Sequence, residues 1–212
     1  MIHICKKNMI KNIIFDLGGV LVKLDKVRCI EAFTKIGHPD FGKVINEYFQ
    51  EGFFMDYERG SITTKEFRAK VRADMNTTVS DEEIDNAMAA FLPGIPIEKL
   101  DALKHYGKKY RLFLLSNTNP VAIEIVKPMF LMGGQKMESY FEKMYLSYEM
   151  KCAKPDLKIF KMLIDDSGIN PDETLFVDDS KVNLEAASEL GIKTALMVQE
   201  NNLINDLEPY LC

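Results

Sequence analysis

Four polar clusters in this chain bring together residue types suited to one kind of chemistry: Asp16, Ser116 with Asn117, Lys154, and the adjacent pair Asp178 and Asp179. A carboxylate nucleophile, a hydroxyl and an amide donor, an ammonium and two further carboxylates form the inventory for holding Mg²⁺ and attacking a phosphoryl group. The logic is electrostatic. A carboxylate cannot approach a dianionic phosphate unless the repulsion is cancelled, and one divalent metal with one lysine, beside the N–H donors of a glycine loop, would cancel it. Taken singly, each residue has a plainer explanation. Asp16 could be a turn acid, Ser116 a helix N-cap before Pro120, Lys154 a solvated lysine, and Asp178 and Asp179 caps for a helix beginning near Lys181. The signal lies in the ordered set.

The clusters sit where a common architecture would gather them. Apolar runs end at or near each one: NIIFD (12–16), RLFLLSN (111–117), KMYLS (143–147) and TLFVDD (174–179), with a fifth run, KTALMV (193–198), beyond. Short apolar runs of this kind predict buried parallel strands. Helical patterns separate the later ones. PDLKIFKMLIDDSG sets Leu157, Phe160, Leu163 and Ile164 on one face with Gly168 placed to end the helix, and KVNLEAASELG is expected to end likewise at Gly191. Alternating strand and helix predicts an α/β fold with a doubly wound, Rossmann-like parallel sheet.

One interval breaks the alternation. Roughly residues 24–92 contain no convincing strand and read as all-helical. Thr63-Thr64-Lys65-Glu66 and Ser80-Asp81-Glu82-Glu83 match the capping box, and VRCIEAFTKIG, EFRAKVRADM and IDNAMAAF carry apolar residues at three-to-four spacing. A helical insertion directly after the first strand would stand over the carboxyl ends of the sheet, where open α/β folds bind ligands. The expected division is a core of residues 1–22 and 93–212 and a helical cap of residues 23–92, with LPGIP (92–96) as the hinge.

Composition narrows the partners. The 212 residues are 47% hydrophobic and 28% charged, with a formal net charge of −5, which is ordinary for a globular protein with a well-filled core. Basic residues are interspersed with acids, so no footprint for nucleic acid or an anionic membrane appears. No stretch approaches the roughly 18 apolar residues of a membrane span, and the start MIHICKKNMIKN lacks a long apolar region, so a cytoplasmic location is expected. Cys5, Cys29, Cys152 and Cys212 lie far apart without metal-ligand spacing, which predicts reduced thiols. His3, His38 and His105 have no nucleophile elbow near them, which argues against a Ser/His/Asp hydrolase.

In their order along the chain, FDLGGVLV, LLSNTN, KCAKPDLKIF and FVDDSKVN resemble the four motifs of the haloacid-dehalogenase-like hydrolase superfamily, most of whose members are Mg²⁺-dependent phosphatases. ERGSITTKEF is similar to its helical-cap, sugar-phosphatase-like branch. The resemblance implies that Asp16 is the nucleophile, forming an aspartyl-phosphate, and also a metal ligand. It implies that Gly18 offers a backbone carbonyl to Mg²⁺, that Asp179 binds the metal directly, and that Asp178 sits beside it. Phosphoryl oxygens would be held by Ser116, by the N–H groups after Asp16, beginning with Leu17, and by Asn117, with Lys154 neutralising Asp16 and phosphate together. Cap residues Phe53, Phe54, Tyr57 and Glu58 are candidates for specificity by position alone.

One departure from the family pattern stands out. Many of its phosphatases carry an aspartate two residues after the nucleophile as general acid and base, and Gly18 occupies that place here. Such help is worth about 10²–10⁴ in rate, so catalysis would rely on a good leaving group, on water, or on a cap side chain. The expected function is Mg²⁺-dependent hydrolysis of a small phosphorylated metabolite, with sugar phosphates among the candidates. The alternatives are a metal-independent dehalogenase using the same aspartate and a non-catalytic phosphometabolite-binding protein.

Overall fold

Ile13, Ile14 and Phe15 are all fully buried, so the strand that holds them has no solvent face and needs a layer on each side. The computed structural model, which describes residues 9–44, 52–75 and 78–211, supplies both layers. Strands β1 (Asn12–Phe15), β2 (Arg111–Ser116), β3 (Lys143–Leu146), β4 (Thr174–Asp178) and β5 (Lys193–Leu196) form one sheet in the order β3-β2-β1-β4-β5, and every pairing is parallel. All five apolar runs read from the sequence are strands, each ending one or two residues earlier than the run itself.

Helices α1 (Lys26–Lys35), α2 (Phe41–Val44), α3 (Phe53–Glu58), α4 (Thr64–Met75) and α5 (Asp81–Ala89) follow β1. After them come α6 (Ile97–Tyr106), α7 (Pro120–Val126), α8 (Ser147–Met150), α9 (Leu157–Ser167), α10 (Lys181–Ser188) and α11 (Leu203–Leu207). Alternation along β1 splits the core: Ile13 and Phe15 pack in a cluster with α6, α7 and α11, while Ile14 packs in a second cluster with α9 and α10. Gly168 caps α9 in the left-handed conformation, as its position predicts. The next helix stops sooner than expected: α10 ends at Ser188, and Gly191 follows in the turn that returns the chain to β5.

The helices between β1 and β2 have a cluster of their own, built from Phe33, Phe41, Phe54, Tyr57, Phe67 and Ile84 with smaller neighbours. Both predicted capping boxes are present, at Thr63 with Glu66 and at Ser80 with Glu83. The two segments joining this unit to the sheet pair with each other: the Lys23 N–H donates to the Gly94 carbonyl at 2.9 Å and the Asp25 N–H to that of Phe91 at 2.9 Å. No helix among the described residues is long and apolar enough to cross a membrane.

Candidate active site

The central position of β1 is what gathers the polar clusters. Its register sets Phe15 level with Leu114 of β2 and with Val177 of β4, so Asp16 emerges between the ends of two neighbours. The Asp16 N–H donates to the Val177 carbonyl at 2.9 Å, which carries the strand geometry one residue into the site. The chain then turns tightly. Gly19 has φ +77°, and a β-carbon there would lie 2.0 Å from Asp179 Oδ2, so the loop after β1 closes against the acid after β4 only because residue 19 has no side chain.

Lys154 lies at the centre of the site, almost fully buried. Its Nζ donates to Asp16 Oδ1 at 2.7 Å, to Asp178 Oδ2 at 2.7 Å and to the Leu115 carbonyl at 3.0 Å, which uses all three ammonium protons. Burial acts to lower its pKa, and the Asp16 and Asp178 carboxylates more than reverse that, so the ammonium is held above the ordinary lysine range. Asp178 is equally committed. Besides Lys154 it accepts from the Ser180 N–H at 2.8 Å and from Asn183 Nδ2 at 3.0 Å.

Asp16, Asp178 and Asp179 each present a carboxylate oxygen within 4.8 Å of the others. Three carboxylates face one ammonium, and the excess negative charge is felt locally. Burial, with Asp178 and Asp179 adding to it against the pull of Lys154, pushes the Asp16 carboxyl up to about 7. Burial and Asp178 push Asp179 up to about 6. A cluster of hard oxygen donors short of positive charge fits a divalent cation such as Mg²⁺.

Asn117 and Ser116 take different parts. The Asn117 side chain clamps the backbone of Lys154, donating from Nδ2 to its carbonyl at 2.9 Å and accepting its N–H on Oδ1 at 2.8 Å. Ser116 is buried, and among the described residues its hydroxyl makes only a long bond, 3.3 Å, to the Asn117 carbonyl. The helix cap once conceivable for Ser116 belongs instead to Asn119, whose side chain accepts from the Ala122 N–H. At the start of α10 the cap position is Ser180, whose side chain makes no capping bond, while Asp178 accepts the Ser180 N–H.

All the predicted residues except Asp178 line one crevice, and Asp178 lies behind Lys154. On the far side Met55, Glu58 and Met88 come from the helices inserted after β1, and Phe91 from the turn after α5. Of the four aromatic and acidic cap candidates, Glu58 alone reaches the crevice. Phe53, Phe54 and Tyr57 pack inside the helical cluster, Tyr57 stacking on Phe67 at 4.4 Å. His38 pairs with Asp74 away from the crevice, Cys29 and Cys152 are buried free thiols, and His3, Cys5 and Cys212 lie outside the described residues. Sequence reading overlooked Thr118, Ser180 and Asn183, which also line the site. Asn183 stood within FVDDSKVN, so the signal for it was in view.

A parallel sheet with this acid and lysine grouping at its carboxyl edge defines a haloacid dehalogenase-like hydrolase, and residues 10–191 match that family, to which the chain belongs. Over 187 residues it is 38% identical to a D-ribitol-5-phosphate phosphatase of Bacteroides thetaiotaomicron, covering 88% of this chain and 91% of the relative. The crystal structure of a HAD family enzyme from Bacteroides thetaiotaomicron, in complex with magnesium and inorganic phosphate, is similar with a TM-score of 0.86 and 47% identity, over 91% of this chain and 96% of the other. A predicted HAD-like family hydrolase from Porphyromonas gingivalis has a TM-score of 0.89 and 37% identity, over 96% and 98% of the two chains.

Proposed function

We propose that this protein is a Mg²⁺-dependent phosphomonoesterase acting on a small phosphorylated metabolite of the sugar or sugar-alcohol phosphate class through an aspartyl-phosphate on Asp16. The observation that carries the reading is the buried Lys154 ammonium bridging Asp16 and Asp178 while Asp179 remains unpaired by it. Lys154 fixes one Asp16 oxygen and neutralises charge, leaving the other oxygen to act. The Leu17 N–H and the Ser116 hydroxyl hold phosphoryl oxygens, with the remaining Asn117 amide proton as a further donor. Asp16, Asp179 and the Gly18 carbonyl hold the metal, with Asp178 beside them; the chemistry the ion supplies when bound is neutralisation of phosphoryl charge. The substrate class is supported by the D-ribitol-5-phosphate phosphatase relative.

In the same reading, residues 23–92 act as a cap over a core of residues 1–22 and 93–212. The paired segments at Lys23 and Gly94 are its pivot. A dehalogenase using the same aspartate would not need the three-carboxylate cluster. The test is a panel of phosphate esters assayed with Mg²⁺ and with chelator, on wild type and on Asp16→Asn. Turnover should require the metal and fall at least 10³-fold in the variant, since nucleophile and ligand are both lost. Full activity in chelator, or turnover by Asp16→Asn within tenfold of wild type, overturns the reading.

A further inference from the structure

The position that would carry an acid two residues after Asp16 holds a glycine. Leu24 packs close over it, and a β-carbon on Gly18 would meet Leu24 Cδ2 at 3.3 Å. A side chain that protonates the departing oxygen would therefore stand on another wall of the crevice. Its ionisable side chains are Asp16, Lys154, Asp179 and Glu58. The first three belong to one charge cluster. Glu58 comes from the opposite wall and makes no side-chain hydrogen bond or ion pair among the described residues. Building on the phosphatase reading above, we propose that Glu58 is the general acid and base of the reaction, supplied by the helical insertion in place of the side chain that Gly18 lacks.

Its position is fixed by the core rather than by the insertion alone. The Ser147 hydroxyl, at the start of α8, donates to the Glu58 carbonyl at 2.7 Å and accepts the Thr118 N–H at 2.9 Å, so the backbone of Glu58 is tied to the loop that follows Ser116. Two residues on, Lys151 Nζ donates to the Gly60 carbonyl at 2.7 Å. Gly60 has φ +62°, and a β-carbon there would lie 2.2 Å from the Tyr148 carbonyl oxygen. The C-terminal end of α3 is therefore seated on α8 without clearance, with the Glu58 side chain facing into the crevice. A carboxyl that burial disfavours, lining a crevice and paired with no side chain among the described residues, is the pattern of a functional group. Burial, opposed by Lys154, also pushes Glu58 up to about 7, a range in which it can both give and take a proton near neutrality.

The two steps balance. Asp16 attacks phosphorus as the bond to the leaving oxygen breaks, and that oxygen takes the Glu58 carboxyl proton and departs as an alcohol. The Glu58 carboxylate then takes a proton from water as the water oxygen attacks the aspartyl-phosphate. The bond from phosphorus to Asp16 breaks, phosphate leaves, and Asp16 and Glu58 return to their starting states.

The experiment compares wild type with Glu58→Gln, a neutral isostere, on aryl and alkyl phosphates that carry no sugar hydroxyls, with Mg²⁺ present. This series removes any contribution from hydroxyl recognition. In wild type, log kcat/KM should depend weakly on leaving-group pKa. In the variant kcat/KM should fall about 10²–10³-fold for alkyl esters and less than about tenfold for 4-nitrophenyl phosphate, steepening the slope. With 4-nitrophenyl phosphate, loss of the base should also lower kcat and KM together, give a burst of nitrophenolate, and leave phosphoenzyme that can be trapped by acid quench. An unchanged slope, or an equal loss across the series without a burst, overturns the assignment to Glu58. A wild type that hydrolyses none of the esters overturns the phosphatase reading itself, which is a separate outcome.

Discussion

Glu58 is where burial and ionisation conflict most simply, because its carboxyl has one charged influence, Lys154, set against desolvation by burial. Its pKa is raised from the ordinary 4.5 to about 7. Below about 4.5 the group is protonated in both folded and unfolded chains and pH has no effect through it. Between about 4.5 and about 7 the unfolded chain ionises while the folded one keeps its proton, so stability falls as pH rises, and the loss is complete above about 7. Glu58→Gln removes this dependence. In metal-free protein, the variant's advantage in unfolding free energy over wild type should grow across that window by up to about 3 kcal/mol and then level off. Denaturant unfolding at a series of pH values measures it, and a difference that stays flat from pH 4 to 8 would mean the carboxyl is solvated and ionised in the folded state. Asp16 and Asp179 titrate in both proteins and cancel in the comparison.

Among the elements, α3 and α8 make the contact on which the crevice depends. α3 has only six residues, too few to hold a direction in isolation. Its last turn is held instead by Ser147 and Lys151 across a seat that Gly60 makes possible. Gly60→Ala forces a side chain into a left-handed backbone and onto the Tyr148 carbonyl, so the end of α3 must lift. The expected result is at least a tenfold loss of kcat/KM on alkyl phosphates, with Mg²⁺ affinity by calorimetry within threefold of wild type. The reason for the split is that the carboxylate cluster is built by strand ends alone. Equal loss of both would show that the seat supports the whole site rather than α3.

At the scale of the molecule, two packing units share one crevice. The helical cluster draws on the sheet domain through Val121, with Ile125 packed against it, and otherwise on its own side chains. Phe67 is fully buried at its centre, against Phe53, Phe54 and Tyr57. Phe67→Ala should cost about 3–5 kcal/mol of packing. Because so little of that cluster is shared, the loss should be local. Hydrogen exchange read by mass spectrometry should speed up together over Lys26–Lys35, Phe53–Glu58, Thr64–Met75 and Asp81–Ala89, while β1 to β5 keep their protection. Uniform loss of protection across sheet and helices would mean that the two units unfold as one.

The sequence by itself marked the strands, several of the helices and most of the polar residues that line the crevice. Five apolar runs between polar ends became five parallel strands, and two capping boxes became two helix starts, because strand burial and helix capping are decided by residues a few positions apart. The same locality marked Asp16, Ser116, Asp178 and Asp179, each at or just beyond a strand end, and Lys154 in the segment that follows β3 and α8. Only the tertiary structure decided the strand order, with β1 central and the acids of β1 and β4 side by side. It also set Asn117 on the Lys154 backbone rather than free, turned Phe53, Phe54 and Tyr57 into the helical cluster, and left Glu58 facing the crevice. These outcomes rest on contacts between distant parts of the chain: 138 positions separate Lys154 from Asp16 and 89 separate Ser147 from Glu58. Periodicity and propensity act over a few residues and carry no information about which distant carbonyl a serine will meet. That pairing is settled only when both packing units have formed and docked.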